Sequence, residues 1–174
     1  MENQTRIFII IIFLLGSLAI SLYFKNLLPE RVPQHFNARG FADGYSSKKC
    51  ALISHNLLMG FIGGIYILSF YLAQSPKYWE KKLRKPISES ARKVLIAQSL
   101  KIVDFSLIMI MILFLDLQIE TYLVALGKIE KLTGLIWVIT GALIISGIYY
   151  SIRLFQTQSK AQKESEWKPN STGV

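Results

Sequence analysis

Ile7 to Phe24 runs for 18 residues without a charged side chain. As a helix at about 1.5 Å per residue it would cover most of a hydrocarbon layer of about 30 Å. Three further stretches fit the same template: Ala51 to Ala73, Val94 to Leu117, which carries Lys101, Asp104 and Asp116, and Leu132 to Leu154, free of charge until Arg153. A backbone in lipid must satisfy its own polar groups, which leaves helices or a closed barrel. We therefore expect an all-α integral membrane protein, with residues 1–154 forming a single four-transmembrane-helix bundle. The 52% hydrophobic composition and positive mean hydropathy agree, since about 45 to 50% is usual for soluble domains.

A cleaved signal peptide is the competing reading of the first stretch, with Arg6 as its basic end and Ala19-Ile20-Ser21 as a loose cleavage site. Its apolar region would exceed the usual 7 to 15 residues, so retention is expected. Orientation follows from the flanking cations. One face collects twelve: Arg6, then Lys77, Lys81, Lys82, Arg84, Lys85, Arg92 and Lys93 in the second loop, then Arg153, Lys160, Lys163 and Lys168. The other face collects seven, Lys25, Arg31, Arg39, Lys48, Lys49, Lys128 and Lys131. The positive-inside rule places both termini in the cytoplasm and the first loop outside.

The formal charge of +9 would suggest nucleic acid in a soluble chain. Here the excess gathers in the basic loop 74–93, and we expect residues 77–93 to meet anionic lipid of the inner leaflet, each cation contributing about 1 kcal/mol, with docking of a cytoplasmic regulator as the alternative. No nucleic-acid partner is expected. The lone cysteine, Cys50, excludes an internal disulfide. Residues 155–174 are polar and read as a disordered cytoplasmic tail, whose Asn170-Ser171-Thr172 glycosylation pattern would never meet the machinery.

Between the first two apolar stretches lies Leu28 to Lys48, dense in residues with special backbone or hydrogen-bonding properties. Pro29 and Pro33 favour extended neighbours, so Val32 to Phe36 reads as a short strand. Asn37-Ala38-Arg39-Gly40 has the composition of a turn with glycine at a positive φ, and Asp43-Gly44 that of a tight hairpin turn. A small folded cap, with the composition of a β-hairpin, is expected on the outer mouth of the bundle. Its candidate residues are Pro33, His35, Asn37, Gly40, Asp43, Gly44 and Lys48.

His35, Asn37 and Asp43 fit hydrogen bonding within the cap, recognition of a ligand, or metal binding together with His55. Their spacing matches no compact metal-ligand pattern, and no metal is expected. Ser46 or Ser47 with His35 and Asp43 has the composition of a hydrolytic triad, but nothing in the sequence points to an oxyanion hole, so no catalytic residue is assigned. No nucleotide loop or haem pair implies a cofactor.

Inside the third stretch Gln98, Lys101 and Asp104 read as one polar stripe, either a local ion pair with Lys101 snorkelling or part of an ion path. Small residues at helical spacing, Gly60 with Gly64, Ser17 with Ser21, and Gly127, Gly134 and Gly141, are expected where helix backbones approach closely.

The run Leu28-Pro29, Val32-Pro33-Gln34-His35-Phe36-Asn37, Gly40, Asp43-Gly44-Tyr45 and Ser47-Lys48 resembles the signature of a bacterial membrane family of uncharacterised domains that includes SdpI, the immunity protein against the sporulation-delaying toxin. Ser75-Pro76-Lys77-Tyr78-Trp79 resembles, more loosely, a proline and aromatic pair common at the next boundary of such proteins. The resemblance implies a bacterial plasma membrane location, and recognition of an extracytoplasmic peptide or lipid-like ligand coupled to a cytoplasmic regulator. A small transporter or an accessory subunit of a larger membrane complex is the other reading, and an enzyme is not expected.

Overall fold

The structure, a computed structural model, describes residues 3–75, 77–78, 81 and 89–166. Its elements run α1 (Asn3–Phe24), β1 (Arg31–Phe36), β2 (Ala42–Ser47), α2 (Lys48–Gln74), α3 (Glu89–Ala125) and α4 (Gly134–Glu166). All four helices are long and apolar enough to cross a membrane, and the two strands form one antiparallel sheet. The chain is thus a mostly helical, multi-pass membrane protein with a small β element between its first two helices.

Each boundary has a local cause. α1 closes in a turn, with Leu28 N–H bonding Phe24 O at 3.0 Å, and Pro29 then prevents the helix from resuming. Ser47 caps α2 in extended conformation, its hydroxyl accepting from Cys50 N–H at 3.2 Å. α3 ends at Gly127, whose φ of 65° lets Lys128 N–H fold back onto Leu123 O at 2.9 Å. At the start of α4, Glu120 of α3 accepts from Thr133 N–H at 2.9 Å and from its hydroxyl.

The helices outrun the spans read from charge-free runs. α3 covers 37 residues, about 55 Å, because Gln118, Glu120 and Thr121 beyond Leu117 turn inward and are buried rather than ending the helix. The expected disorder from residue 155 is corrected up to Glu166, since α4 continues that far. Extending an existing helix needs no new nucleus, and Gln, Lys and Ala favour it. Residues 167–174 lie outside the described residues, as do residues 76, 79–80 and 82–88 of the basic loop for which a lipid contact is expected. Of the Ser75 to Trp79 match, Ser75, Lys77 and Tyr78 are described.

α3 is the central helix, packing against α1, α2, α4 and β1. Ile10, Met59, Tyr66, Leu107 and Met111 form the core between α1, α2 and α3, while Phe8, Leu15, Phe61, Leu68 and Ile145 point outward, as expected for side chains that face lipid. The glycine expectation for α2 shifts by one helical position. Gly60 and Gly64 have no atom within 4 Å of an added Cβ, whereas at Gly63 it would meet Ile10 Cγ2 at 3.1 Å. In α4, Gly134 and Gly141 are likewise open. Ser17 and Ser21 do face inward and are buried.

Candidate functional site in the hairpin cap

The cap is a hairpin whose turn follows the expected chemistry. Asn37 Oδ1 accepts from Arg39 N–H at 2.9 Å and Phe41 N–H at 3.2 Å, an Asx turn. Gly40 takes φ 83°, where an L side chain is strained. A Cβ there would also lie 3.2 Å from Leu132 O. Gly40 O in turn accepts from Leu132 N–H at 3.0 Å, and Lys131 Nζ stands 5.3 Å from the Phe41 ring centre. The hairpin tip is thereby tied to the segment between α3 and α4.

Asp43-Gly44 is not a turn. Both residues lie within β2, with Gly44 opposite His35 and the register irregular on both sides of His35. Gly44 is required by space rather than by φ: a Cβ would come 2.9 Å from His35 Cβ. Its absence lets His35 fold over β2, where Nδ1 lies 2.5 Å from Asp43 Oδ1. The pair is open to its surroundings, with side-chain exposures of 74% and 42%, and Tyr45 beside it is 53% exposed.

The underside of the cap is apolar and seated on the helices. Leu28, Val32, Ala51 and Tyr122 form a buried cluster with Ile20 and Phe24 against it, and Pro33 is buried as well. At the other end of the hairpin, Lys48 Nζ donates to Leu28 O at 3.1 Å and pairs with Glu30 at 3.2 Å, while Lys48 N–H bonds Glu30 O at 2.9 Å. Ser54 of α2 donates to Gln34 Oε1 at 3.3 Å. A cleft of about 170 Å³ remains between cap and helices, lined by Gln34, Phe36, Ser54, His55 and Thr121 among others.

His55 stays apart from His35 and Asp43. Its Nδ1 is 2.8 Å from Ala51 O, and its ring meets that of Tyr122 edge-on at 5.4 Å. Among the described residues no three metal-ligating side chains converge. The serines of the triad composition are engaged elsewhere, Ser46 Oγ with Ser47 O at 3.3 Å and Ser47 Oγ with Cys50 N–H.

Beneath the cap a neutral cluster joins three helices. Gln118 of α3 accepts from Ser17 Oγ at 2.8 Å and donates to Ser21 Oγ at 2.9 Å, and Asn56 of α2 donates to Ser21 Oγ at 2.6 Å. Tyr122 connects this cluster to the cap core. None of these partnerships was read from the sequence, although Ser17 and Ser21 were singled out for their size.

The stripe of Gln98, Lys101 and Asp104 divides. Asp104 turns into the bundle and takes a two-pronged ion pair with Arg6 of α1, at 2.8 and 2.9 Å, plus a hydrogen bond from Tyr66 of α2 at 2.6 Å. Lys101, three residues earlier, is exposed and lines a groove shared with α4, and Gln98 accepts from Thr157 of α4 at 2.6 Å. The expected Lys101–Asp104 pair is replaced because Arg6 reaches Asp104 with the forked geometry a carboxylate favours. Arg6 also lies over the Phe70 ring at 4.9 Å.

A family model described as a domain of unknown function, DUF1648, matches residues 12–59, which hold the second half of α1, the whole cap and the first turns of α2. No curated protein and no solved structure matches the chain. The similarity is therefore to an uncharacterised domain centred on the hairpin cap.

Proposed function

We propose that the chain is a membrane recognition protein of the SdpI-like immunity and signal-receptor kind, which meets an extracytoplasmic peptide or lipid-like ligand through residues 28–48. The observation that carries this reading is the contrast between the two faces of the cap. Val32 and Pro33 lock one face into the helices, while the other holds His35, Asp43 and Tyr45 exposed on a backbone fixed at both ends. Fixed polar and aromatic groups bind with little ordering cost. Among the described residues the sheet has two strands, and an extended peptide can pair with an open strand edge.

Placement of the cap outside the bacterial plasma membrane, with both termini in the cytoplasm, rests on the cation count. A signal from β1 would pass through Tyr122 and Gln118 into α1 and α3, and on to a cytoplasmic regulator at the basic loop. The binding reading is preferred to an enzymatic one because Ser46 and Ser47 bond to backbone groups rather than to His35.

A photo-reactive residue at position 45, followed by mass spectrometry, is expected to capture a discrete peptide or lipid species that Asp43→Ala reduces. Capture of bulk phospholipid alone, unchanged by Asp43→Ala, would sink the proposal. In cells challenged with a secreted peptide toxin, Asp43→Ala at normal membrane levels should lose protection. The accessory-subunit alternative draws on the open positions Gly60 and Gly64 and predicts a stable protein partner in mild detergent. The transport alternative would have to use Asp104, bonded to Arg6 and Tyr66, and Lys101, in the groove between α3 and α4, at separate places.

A further inference from the structure

At the end of the molecule opposite the cap, α3 and α4 line a groove of about 430 Å³. Lys101 enters from α3, and Arg153 and Lys160 from α4, and among the described residues no carboxylate lines the groove. Among the described residues none of the three cations takes part in an ion pair. Arg153 is oriented by Tyr149, with Nε 3.3 Å from the phenol oxygen, and the bond from Thr157 to Gln98 at 2.6 Å bridges the two helices there. Three exposed cations from two helices line one groove, and a cleft lined by one sign of charge concentrates the counter-ion.

Depth and surroundings select the anion. Arg153 lies about 28 Å along α4 from Gly134, and Lys101 about 36 Å along α3 from Ala125, so both stand at the far edge of a hydrocarbon layer about 30 Å thick. Ile145, Ile148 and Ile152 are exposed on α4 just before and beside the groove, so acyl chains can lie along the helix while a head group sits among the cations. We propose that this groove binds the phosphate head group of an anionic phospholipid, as a defined site separate from the basic loop 77–93.

The test uses the full-length protein in mixed micelles of phosphatidylglycerol and phosphatidylcholine, read by native mass spectrometry. Wild type should retain phosphatidylglycerol preferentially. Lys101→Gln, Arg153→Gln and Lys160→Gln should each weaken that preference about fivefold, as expected for a cation near a charged lipid surface. Neutralising three cations at the cap end instead, Lys25→Gln with Lys49→Gln and Lys128→Gln, should leave it unchanged. Equal loss in both sets would mean diffuse charge attraction and overturn the site. Release of the bound lipid by inorganic phosphate would overturn the lipid assignment in favour of the free anion. If the variants of α4 fail to fold, Lys101→Gln alone decides, because its side chain is exposed: undiminished preference would refute the proposal.

Discussion

Two polar clusters tie α1, α2 and α3 together, about 16 Å apart along α1, and they are made of opposite materials. Near the cap the contributors are Ser17 and Ser21, Asn56, and Gln118 with Tyr122, all neutral. At the far end they are Arg6, Tyr66 and Asp104. Each cluster draws at least one residue from every one of the three helices. In the neutral cluster most groups have more than one partner, so the loss of one bond leaves others in place. In the charged cluster one carboxylate, Asp104, receives both Arg6 and Tyr66, so its removal breaks several bonds at once. Polar groups inside a membrane bundle thus differ less in number than in redundancy, and redundancy sets the cost of a substitution.

The largest effect is expected from Asp104→Ala. The substitution removes the carboxylate that both Arg6 and Tyr66 address, and breaking a buried ion pair costs about 3–5 kcal/mol. Unfolding of the purified protein in mixed micelles of increasing denaturing detergent measures it. A loss below about 1 kcal/mol would mean that Arg6 is effectively solvated at that depth, and the contrast between the clusters would collapse.

Gln118→Ala comes next. It removes an acceptor from Ser17 and donors from Ser21 and Tyr122, but Ser21 keeps Asn56, so about 1–2 kcal/mol is expected. Because Tyr122 also belongs to the buried cluster under the cap, protection of the 31–36 backbone amides against hydrogen exchange should fall in the same variant. Protection that stays at the parent level would separate the cluster from the cap.

The four spans and the hairpin were legible because both depend on local pattern. Charge-free length marks a membrane helix, and Asn37 with Gly40 marks a turn whose geometry few other residues supply. What could not be read is where each side chain finds its partner. Arg6 and Asp104 are 98 positions apart, and a reading confined to one helix offers Lys101, the nearer cation, instead. Asp43-Gly44 misled for a related reason: the pair has turn composition, but the strand uses Gly44 for the room it gives His35. The DUF1648 match over residues 12–59 includes Ser17, Ser21 and Asn56 but not Gln118 or Tyr122, so the α3 side of the neutral cluster stands outside it.

A smaller effect is expected from Ser17→Ala. The hydroxyl donates to Gln118 at 2.8 Å and approaches Asn56 Oδ1 at 3.2 Å, but Gln118 retains Ser21 and Asn56 retains Leu52 O at 2.8 Å. About 0.5 kcal/mol fits the average for a hydrogen bond between membrane helices. A cost as large as that of Gln118→Ala would show that the neutral cluster acts as one cooperative unit and lacks the redundancy assigned to it.

The smallest effect should come from the most drastic substitution. Replacing Arg6 and Asp104 by leucine and Tyr66 by phenylalanine removes both partners of the ion pair together with the hydroxyl bonded to it. Replacing a buried ion pair with well-packed apolar residues is often neutral or stabilising, and Ile10, Leu107 and Met111 already supply an apolar wall beside it. The triple variant should therefore match the parent's stability, despite the several kcal/mol lost by Asp104→Ala alone. If it instead remains as unstable as Asp104→Ala, the ion pair is setting how α1 docks on α3, because leucines that fill the same space would then have failed to replace it.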